Sequence, residues 1–332
     1  MPSKLKTGFL PAVVLLFAGH AAHAIDTDRP EVQAFVDRMV EKHSYDRDKL
    51  LSVLSDAESK QSILDAISRP AERTLEWHEY RNIFMKPERI SAGAEFWREH
   101  EAELERISKD TGVSKEIIVG IIGVETYFGR ITGNYRVLDA LSTLAFDYPP
   151  RSKFFTGELE EFLLLVREEG MEAADATGSY AGAMGRPQFM PSSYRAYAVD
   201  STDDGKRDIW TNWSDVMGSV ANYFVRHGWI EDQPVVASAT LGAQWQGDTP
   251  ENTLKPQETV TSLSHQGVMF SSELPGDAKS QLLTLKGEDG EEYWVGFHNF
   301  FVITRYNRSV MYGLAVHQLG QEIAEEVRGS GS

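Results

Sequence analysis

The sequence predicts a mainly α fold with a smaller β-containing portion, on three observations. Apolar residues recur at three- and four-residue spacing over most of the chain, the spacing that lines one face of a helix. Past Trp229 that spacing gives way to apolar and β-branched runs, two of them around a tight turn. An amphipathic run then closes the chain before a Gly/Ser tail.

Taken in order, "PEVQAFVDRMVEKH" and "DRDKLLSVLSDAESKQSILDAIS" read as two helices, the first with Val32, Phe35, Val36 and Met39 on one face. Pro70 stops them. "LEWHEYRNIFMKPERI" follows, and then "SAGAEFWREHEAELERISKDTG", with Ser91 as its N-cap and Gly112 as its stop. Ser114 caps the next helix, which carries Glu125. Residues 129–148 read as a long loop-rich stretch. "GELEEFLLLVREEG" is an amphipathic helix ending at Gly170, and residues 178–198 are a Gly/Met/Pro-rich turn running into a short helix. An acidic loop, "DSTDDGKRDIW", precedes the helix "SDVMGSVANYFVRHG". "QPVVASATL" reads as a strand, and "SQLLTLKGEDGEEYWVGF" as a hairpin turning near Glu288–Gly290. "SVMYGLAVHQLGQEIAEEV" is the last helix.

The 332 residues suffice for a large core. Lys4 and Lys6 precede the apolar run "GFLPAVVLLFAG", and Ala22–Ala24 is a small-x-small cleavage site, so residues 1–24 read as a secretory signal peptide cut before Ile25. The run is short for a membrane anchor, and no later segment is long and apolar enough to span. Cleavage moves the net charge from −17 to −19, a poor balance for general nucleic-acid binding. There are no cysteines, hence no disulfide, thiolate metal site, cysteine nucleophile or thioether lipid anchor. The expectation is a free exported protein, periplasmic in a double-membraned bacterium.

One carboxylate stands out. In "EIIVGIIGVETYFGR", eight apolar or glycine residues precede Glu125. Helical phase puts Ile118, Ile122 and Glu125 on one face. Desolvation there raises a carboxyl pKa, and an acid kept protonated near neutral pH is a proton donor. The other reading is a buried ion pair with Arg130 or Arg136. Gly123 and Gly129 would open space beside the acid, with Thr126, Tyr127 and Phe128 lining a cleft.

Here the sequence resembles a known family. "GVSKEIIVGIIGVETYFGRITGNYRVLDALSTLAFDYP", "YAGAMGRPQFMPSSYRAYAVD", "GSVANYFVRHGW" and "NFFVITRYNRS", in that order and with "WHEYRNIF" before them, resemble the lytic murein transglycosylases of the membrane-bound B type. The resemblance spans roughly residues 30 to 325. It implies a lysozyme-like helical core around 80–230, an added helical region from both chain ends, and a β-containing segment with the C-terminal helix over 233–328. It also implies cleavage of the bond between N-acetylmuramic acid and N-acetylglucosamine in peptidoglycan glycan strands. No water is used, and a 1,6-anhydro-muramyl end remains. Glu125 falls on the family's catalytic acid and base. Most glycosidases need two carboxylates; here the sugar's own C6 hydroxyl attacks, so one recycled carboxyl suffices, and no second acid sits in the matched motifs near Glu125. Ser179 and Gln188 match sugar-holding positions. Met184 and Phe189 match apolar walls, although core packing is the plain reading of those two. Tyr306 and Asn307 match positions beside the acid, and Tyr80, Tyr223 and Tyr312 match groove tyrosines. Two departures stand out. Arg186–Pro187 replaces Tyr-Gly, and Pro150–Arg151 replaces two arginines, leaving Arg151 to meet a stem-peptide carboxylate.

The acidic loop starts like a calcium-binding EF-hand. Asp200, Thr202 and Asp204 offer oxygens at positions 1, 3 and 5, Gly205 fills position 6, and Lys206 can give its carbonyl. Position 12 is Thr211, not Glu. The family's late acidic ligand would be Asp215, in a loop one residue longer. A structural Ca2+ is expected and no organic cofactor; the plain alternative is a solvated acidic turn. Possible partners are cell-wall enzyme complexes. Competing functions are a lysozyme-type muramidase that uses water and a silent peptidoglycan-binding protein. A calcium sensor is disfavoured by the single loop of this kind.

Overall fold

A computed structural model describes residues 23–68, 75–246 and 251–329. The expected leader and the Pro70 stop lie outside these, except that His23 and Ala24 form a short strand, β1, paired with β2 at Glu58–Ser59. Among the described residues, fourteen α-helices dominate. No helix there is long and apolar enough to cross a membrane.

Residues 30–67 form three helices rather than two: α1 (Pro30–His43), α2 (Arg47–Ser55) and α3 (Gln61–Ile67). Pro30 sits at the first turn of α1, where its missing N–H costs nothing. Left-handed Ser44 ends α1, and the Asp46 side chain caps α2 by accepting from the Lys49 N–H at 3.0 Å. α4 (Trp77–Phe84) starts in a capping box between Glu76 and Glu79. α5 (Pro87–Glu99) starts at Pro87, so Ser91 lies inside the helix and caps nothing. The expected long helix also breaks at His100, where α6 (Glu101–Thr111) begins, and Gly112 in the left-handed region ends it.

α7 (Lys115–Thr126) carries Glu125 and is buried along most of its length. Residues 137–147, expected as loop, form a helix instead, α8 (Val137–Asp147), buried at ten of its eleven positions. The short strands β3 (Tyr135–Arg136) and β4 (Thr177–Gly178) pair beside it. α9 (Ser152–Glu169) follows a 3-10 turn at Pro149–Arg151 and packs on α8. α10 (Pro191–Tyr197) and α11 (Trp213–Arg226) complete this body.

A five-stranded antiparallel sheet follows. Its strands are β5 (Val236–Leu241), β6 (Glu258–Thr259), β7 (Val268–Met269), β8 (Lys279–Lys286) and β9 (Glu291–Gly296), in the order β6-β8-β9-β5-β7. The predicted hairpin is β8–β9, closing at Lys286 opposite Glu291. Alternation splits its residues between two cores. Leu283 and Leu285 join the main helical core, while Leu282 joins a satellite with Val295, Leu263 and Phe297. α12 (Val260–Gln266) lies beside the sheet, and α13 (His298–Ile303) leads into α14 (Val310–Gly329).

α14 packs along α7 with almost no space between the backbones. A Cβ on Gly120 would lie 2.4 Å from the Val316 carbonyl oxygen, and one on Gly320 would lie 2.2 Å from that of Glu116. Both positions therefore require glycine. The place of Gly123 is likewise taken, by Leu319 and the Phe128 ring. Gly123 therefore serves helix packing, and Gly129, beyond the helix at φ 78°, lies against Arg186 and Trp213, so neither opens room beside the acid.

Candidate active site

Glu125 occupies the last turn of α7 and is half-buried. The helix ends at once. Tyr127, Phe128 and Gly129 all take left-handed φ values of 50°, 56° and 78°. Two non-glycine residues in succession there are costly and need firm support. The Tyr127 N–H donates to the Gly123 carbonyl and the Phe128 N–H to that of Ile122. The Phe128 ring stacks on Phe96 at 5.5 Å, and Thr126 donates to the Arg186 carbonyl at 3.0 Å. Thr126 and Phe128 are thus core residues rather than cleft walls.

α14 supplies the partner. Its Tyr312 hydroxyl donates to Glu125 Oε1 at 2.5 Å. The Tyr312 ring runs nearly parallel to that of Tyr306, at 6.5 Å and 14°. Tyr306 donates to the Pro187 carbonyl at 2.6 Å, and Tyr223 to the Arg305 carbonyl at 2.7 Å. Burial, and then the charge of Glu125, pushes the phenol pKa values of Tyr306 and Tyr312 well above the ordinary tyrosine value. Both remain protonated donors. The two arginines considered as ion-pair partners serve elsewhere: Arg136 pairs with Asp56, and Arg130 lies over the Tyr127 ring at 4.9 Å.

Glu125 opens on a cleft of about 1080 Å³. Of the residues singled out in the sequence, Arg151, Ser179, Gln188, Tyr306 and Asn307 line it with Glu125. Tyr80, Met184, Phe189, Tyr223 and Tyr312 do not; they are 4%, 0%, 2%, 7% and 2% exposed and stand behind the wall. Met184 and Phe189 pair backbone to backbone, which closes a tight loop over 185–188. Gln188 at its tip has φ 54° and donates to the Thr132 and Gly185 carbonyls.

The Arg186–Pro187 departure is built into that loop. The Arg186 guanidinium lies 3.8 Å above the Trp213 ring and donates to the Thr211 carbonyl at 2.9 Å. Pro187 offers the carbonyl that Tyr306 holds. Arg151 stacks over Phe154 and Phe155 at 4.5 and 5.0 Å.

Sequence reasoning missed several lining residues, among them Tyr148, Phe154, Tyr180 and Glu158. Phe154, in the first turn of α9, is 41% exposed beside buried Phe155; two adjacent aromatics at a helix start, which cannot both face the core, are the signal that could have found it. Glu158 is a second cleft carboxylate, but both its oxygens are taken. Its Oε2 accepts the Ser192 N–H at 3.0 Å and its Oε1 the Ser192 hydroxyl at 2.7 Å, tying α9 to the first turn of α10. Burial pushes its pKa up against those hydrogen bonds.

The acidic loop lies between α10 and α11. Asp200 accepts from the N–H groups of Thr202, Asp204 and Gly205, the last at 2.7 Å, and Gly205 takes φ 85°. Asp215 is fully buried and accepts from the Ser201 and Asp208 N–H groups at 2.8 and 2.9 Å. Burial, and then the charges of Asp200 and Asp204, raises its pKa. The turn and its all-oxygen donor set fit a hard divalent cation. The carboxylates are folded onto backbone N–H groups, and among the described residues no three His, Asp or Glu side chains converge on one point.

A helical body with a half-buried glutamate at a helix end, set in the wall of an aromatic- and arginine-lined cleft, is the build of lysozyme-like, glycan-cleaving enzymes. Residues 27–321 match the model of the transglycosylase SLT domain. The chain is 42% identical over 308 residues to the membrane-bound lytic murein transglycosylase B of Escherichia coli, covering 90% of this chain and 83% of that one. Its structure superposes on the catenated lytic transglycosylase SltB1 of Pseudomonas aeruginosa with a TM-score of 0.87 at 51% identity, over 91% of this chain and all of the other. The Escherichia coli lytic transglycosylase Slt35 in complex with calcium gives 0.83 at 41% identity, over 92% and 96%. The chain belongs to the transglycosylase SLT domain family.

Proposed function

We propose that this protein cleaves the β-1,4 bond between N-acetylmuramic acid and N-acetylglucosamine in peptidoglycan without water, leaving 1,6-anhydro-muramyl ends. The observation that carries the reading is the state of the two cleft carboxylates. Glu125 meets a phenol donor from behind the wall, whereas Glu158 has both oxygens on Ser192 and is not free to activate water.

The steps follow from that. Protonated Glu125 gives its proton to the glycosidic oxygen as the C1–O bond breaks. The carboxylate left behind takes the proton of the muramyl C6 hydroxyl, whose oxygen closes on C1. Glu125 ends protonated, ready for another turn. The Tyr312 hydroxyl steadies the carboxylate between the two transfers. Arg151, Ser179, Gln188, Tyr306 and Asn307 hold the glycan strand, and Tyr80, Met184, Phe189 and Tyr223 support that wall from behind. The substrate, together with the leader-like residues 1–24, supports a place at the cell wall, in the periplasm.

Mass spectrometry of products from purified sacculi tests the reading. Products one water lighter than those of a muramidase are expected, together with loss of activity in Glu125→Gln. Hydrated ends, or a fully active Glu125→Gln variant, would overturn it.

The same reading gives the acidic loop a calcium ion held by Asp200, Thr202, Asp204, the Lys206 carbonyl and Asp215. When bound, the ion supplies a structural cross-link and no chemistry at Glu125. Calcium titration should raise the melting temperature, and Asp204→Ala should abolish that rise. A melting temperature indifferent to calcium sinks the assignment.

A further inference from the structure

We infer that Arg89 is a positioning residue for Glu125, holding the end of α7 from the side away from the cleft. Arg89 lies in the first turn of α5 and is half-buried. Its Nη1 donates to the Gly123 carbonyl at 2.6 Å, two residues before Glu125. That carbonyl also takes the Tyr127 N–H, so it is held from two sides. The guanidinium lies 4.4 Å from the Tyr127 ring centroid and 5.3 Å from that of Phe84. It therefore touches both the last turn of α7 and the first left-handed residue beyond it.

Arg89 has no acid partner among the described residues, and its Nε is buried without an acceptor. Elsewhere in the molecule the partly buried guanidiniums of Arg29, Arg136, Arg195 and Arg207 pair with Asp or Glu. A cation removed from water without a counter-charge is costly. What faces it here is the carbonyl end of a helix, where aligned peptide dipoles favour positive charge. Arg89 counters the negative end of α7 at the turn that also bears the carboxylate, and its Nη1 hydrogen bond together with its stack on Tyr127 fixes the direction in which that turn ends. The cleft lining does not include Arg89, so the residue acts through Gly123 and Tyr127 and not on the sugar.

This inference rests on Glu125 as the proton-transfer group. Its test uses the whole protein and soluble, uncrosslinked glycan strands. Arg89→Met keeps the stem and removes charge, hydrogen bond and stacking. It should lower kcat about ten- to hundredfold with KM within about threefold, because a misaimed group slows chemistry without loosening substrate. Arg89→Lys restores the charge but not the flat stacking group, and should recover part of the loss. A wild-type kcat in Arg89→Met, or a loss falling on KM, overturns the inference. If Arg89→Met does not fold, Arg89→Lys decides: a reduced kcat at unchanged KM supports the role, and a wild-type kcat refutes it. A wild-type protein that releases no anhydro product would instead refute the proposed function.

Discussion

Replacing Gly120 by alanine sets two opposite effects against each other. Alanine is the better helix former, by about 1 kcal/mol in an unhindered helix interior. At Gly120, however, the added Cβ would lie 2.4 Å from the Val316 carbonyl oxygen, below the 3.0 Å that real Cβ atoms essentially never cross. The obstacle is backbone, so no side chain can swing away; α7 and α14 must part by roughly half an ångström or more. With backbone as the obstacle, such overpacking falls at the upper end of the usual range, about 2–3 kcal/mol. The steric effect wins, and Gly120→Ala should be destabilised by about 1–2 kcal/mol net in urea unfolding followed by circular dichroism. Gly157 supplies the control. It lies exposed in α9, and nothing stands within 4 Å of an added Cβ. Gly157→Ala should gain up to about 1 kcal/mol. Combining Gly120→Ala with Gly320→Ala should cost less than the two alone, since one separation relieves both clashes. A Gly120→Ala protein as stable as wild type would refute the tight-contact argument.

Two further predictions concern single side chains. Tyr312→Phe removes the hydroxyl donated to Glu125; a hydrogen bond to a charged group is worth about 1.5–3 kcal/mol, so kcat should fall about ten- to hundredfold with the anhydro product unchanged in mass. Wild-type kcat in that variant would remove Tyr312 from the mechanism. Glu160 is held by Lys42, His43 and Arg38, which outweigh its burial and take its pKa down to about 2. A depressed folded pKa contributes stability above the unfolded value of 4.5, lost as pH falls toward 2. Glu160→Gln should cost about 1–2 kcal/mol near neutral pH, allowing for the solvent exposure of Lys42 and Arg38, and the gap should close between pH 4.5 and 2. An unchanging gap across acid titration would count against the cluster.

What the sequence revealed depended on how evenly each segment is buried. α1 showed its apolar stripe because one face stays in water. α8 showed none, because Asp139, Ser142 and Thr143 are buried along with its apolar residues, and a helix covered all round has no stripe to read. Asp139 is satisfied there by Lys60 at 2.7 Å and by the Glu58 N–H, partners about eighty residues upstream. The helix carrying Glu125 and the position of that acid were legible. The function of Gly123 was not, since only the presence of α14 decides whether a missing side chain means open space or close contact. The tyrosines were found as residue types, but only the packing separates Tyr306 on the cleft from Tyr80 and Tyr223 behind it.

The contact between α7 and α14 also orders events in time. The phenol that meets Glu125 lies 187 residues later in the chain, on the last helix. While a chain is still being made, α7 has neither its packing partner nor Tyr312. The acid is therefore completed last, after the cleft-lining segments from Tyr148 to Arg308 have been delivered. For an enzyme that cleaves peptidoglycan, the acid thus gains its phenol donor only when the last helix docks.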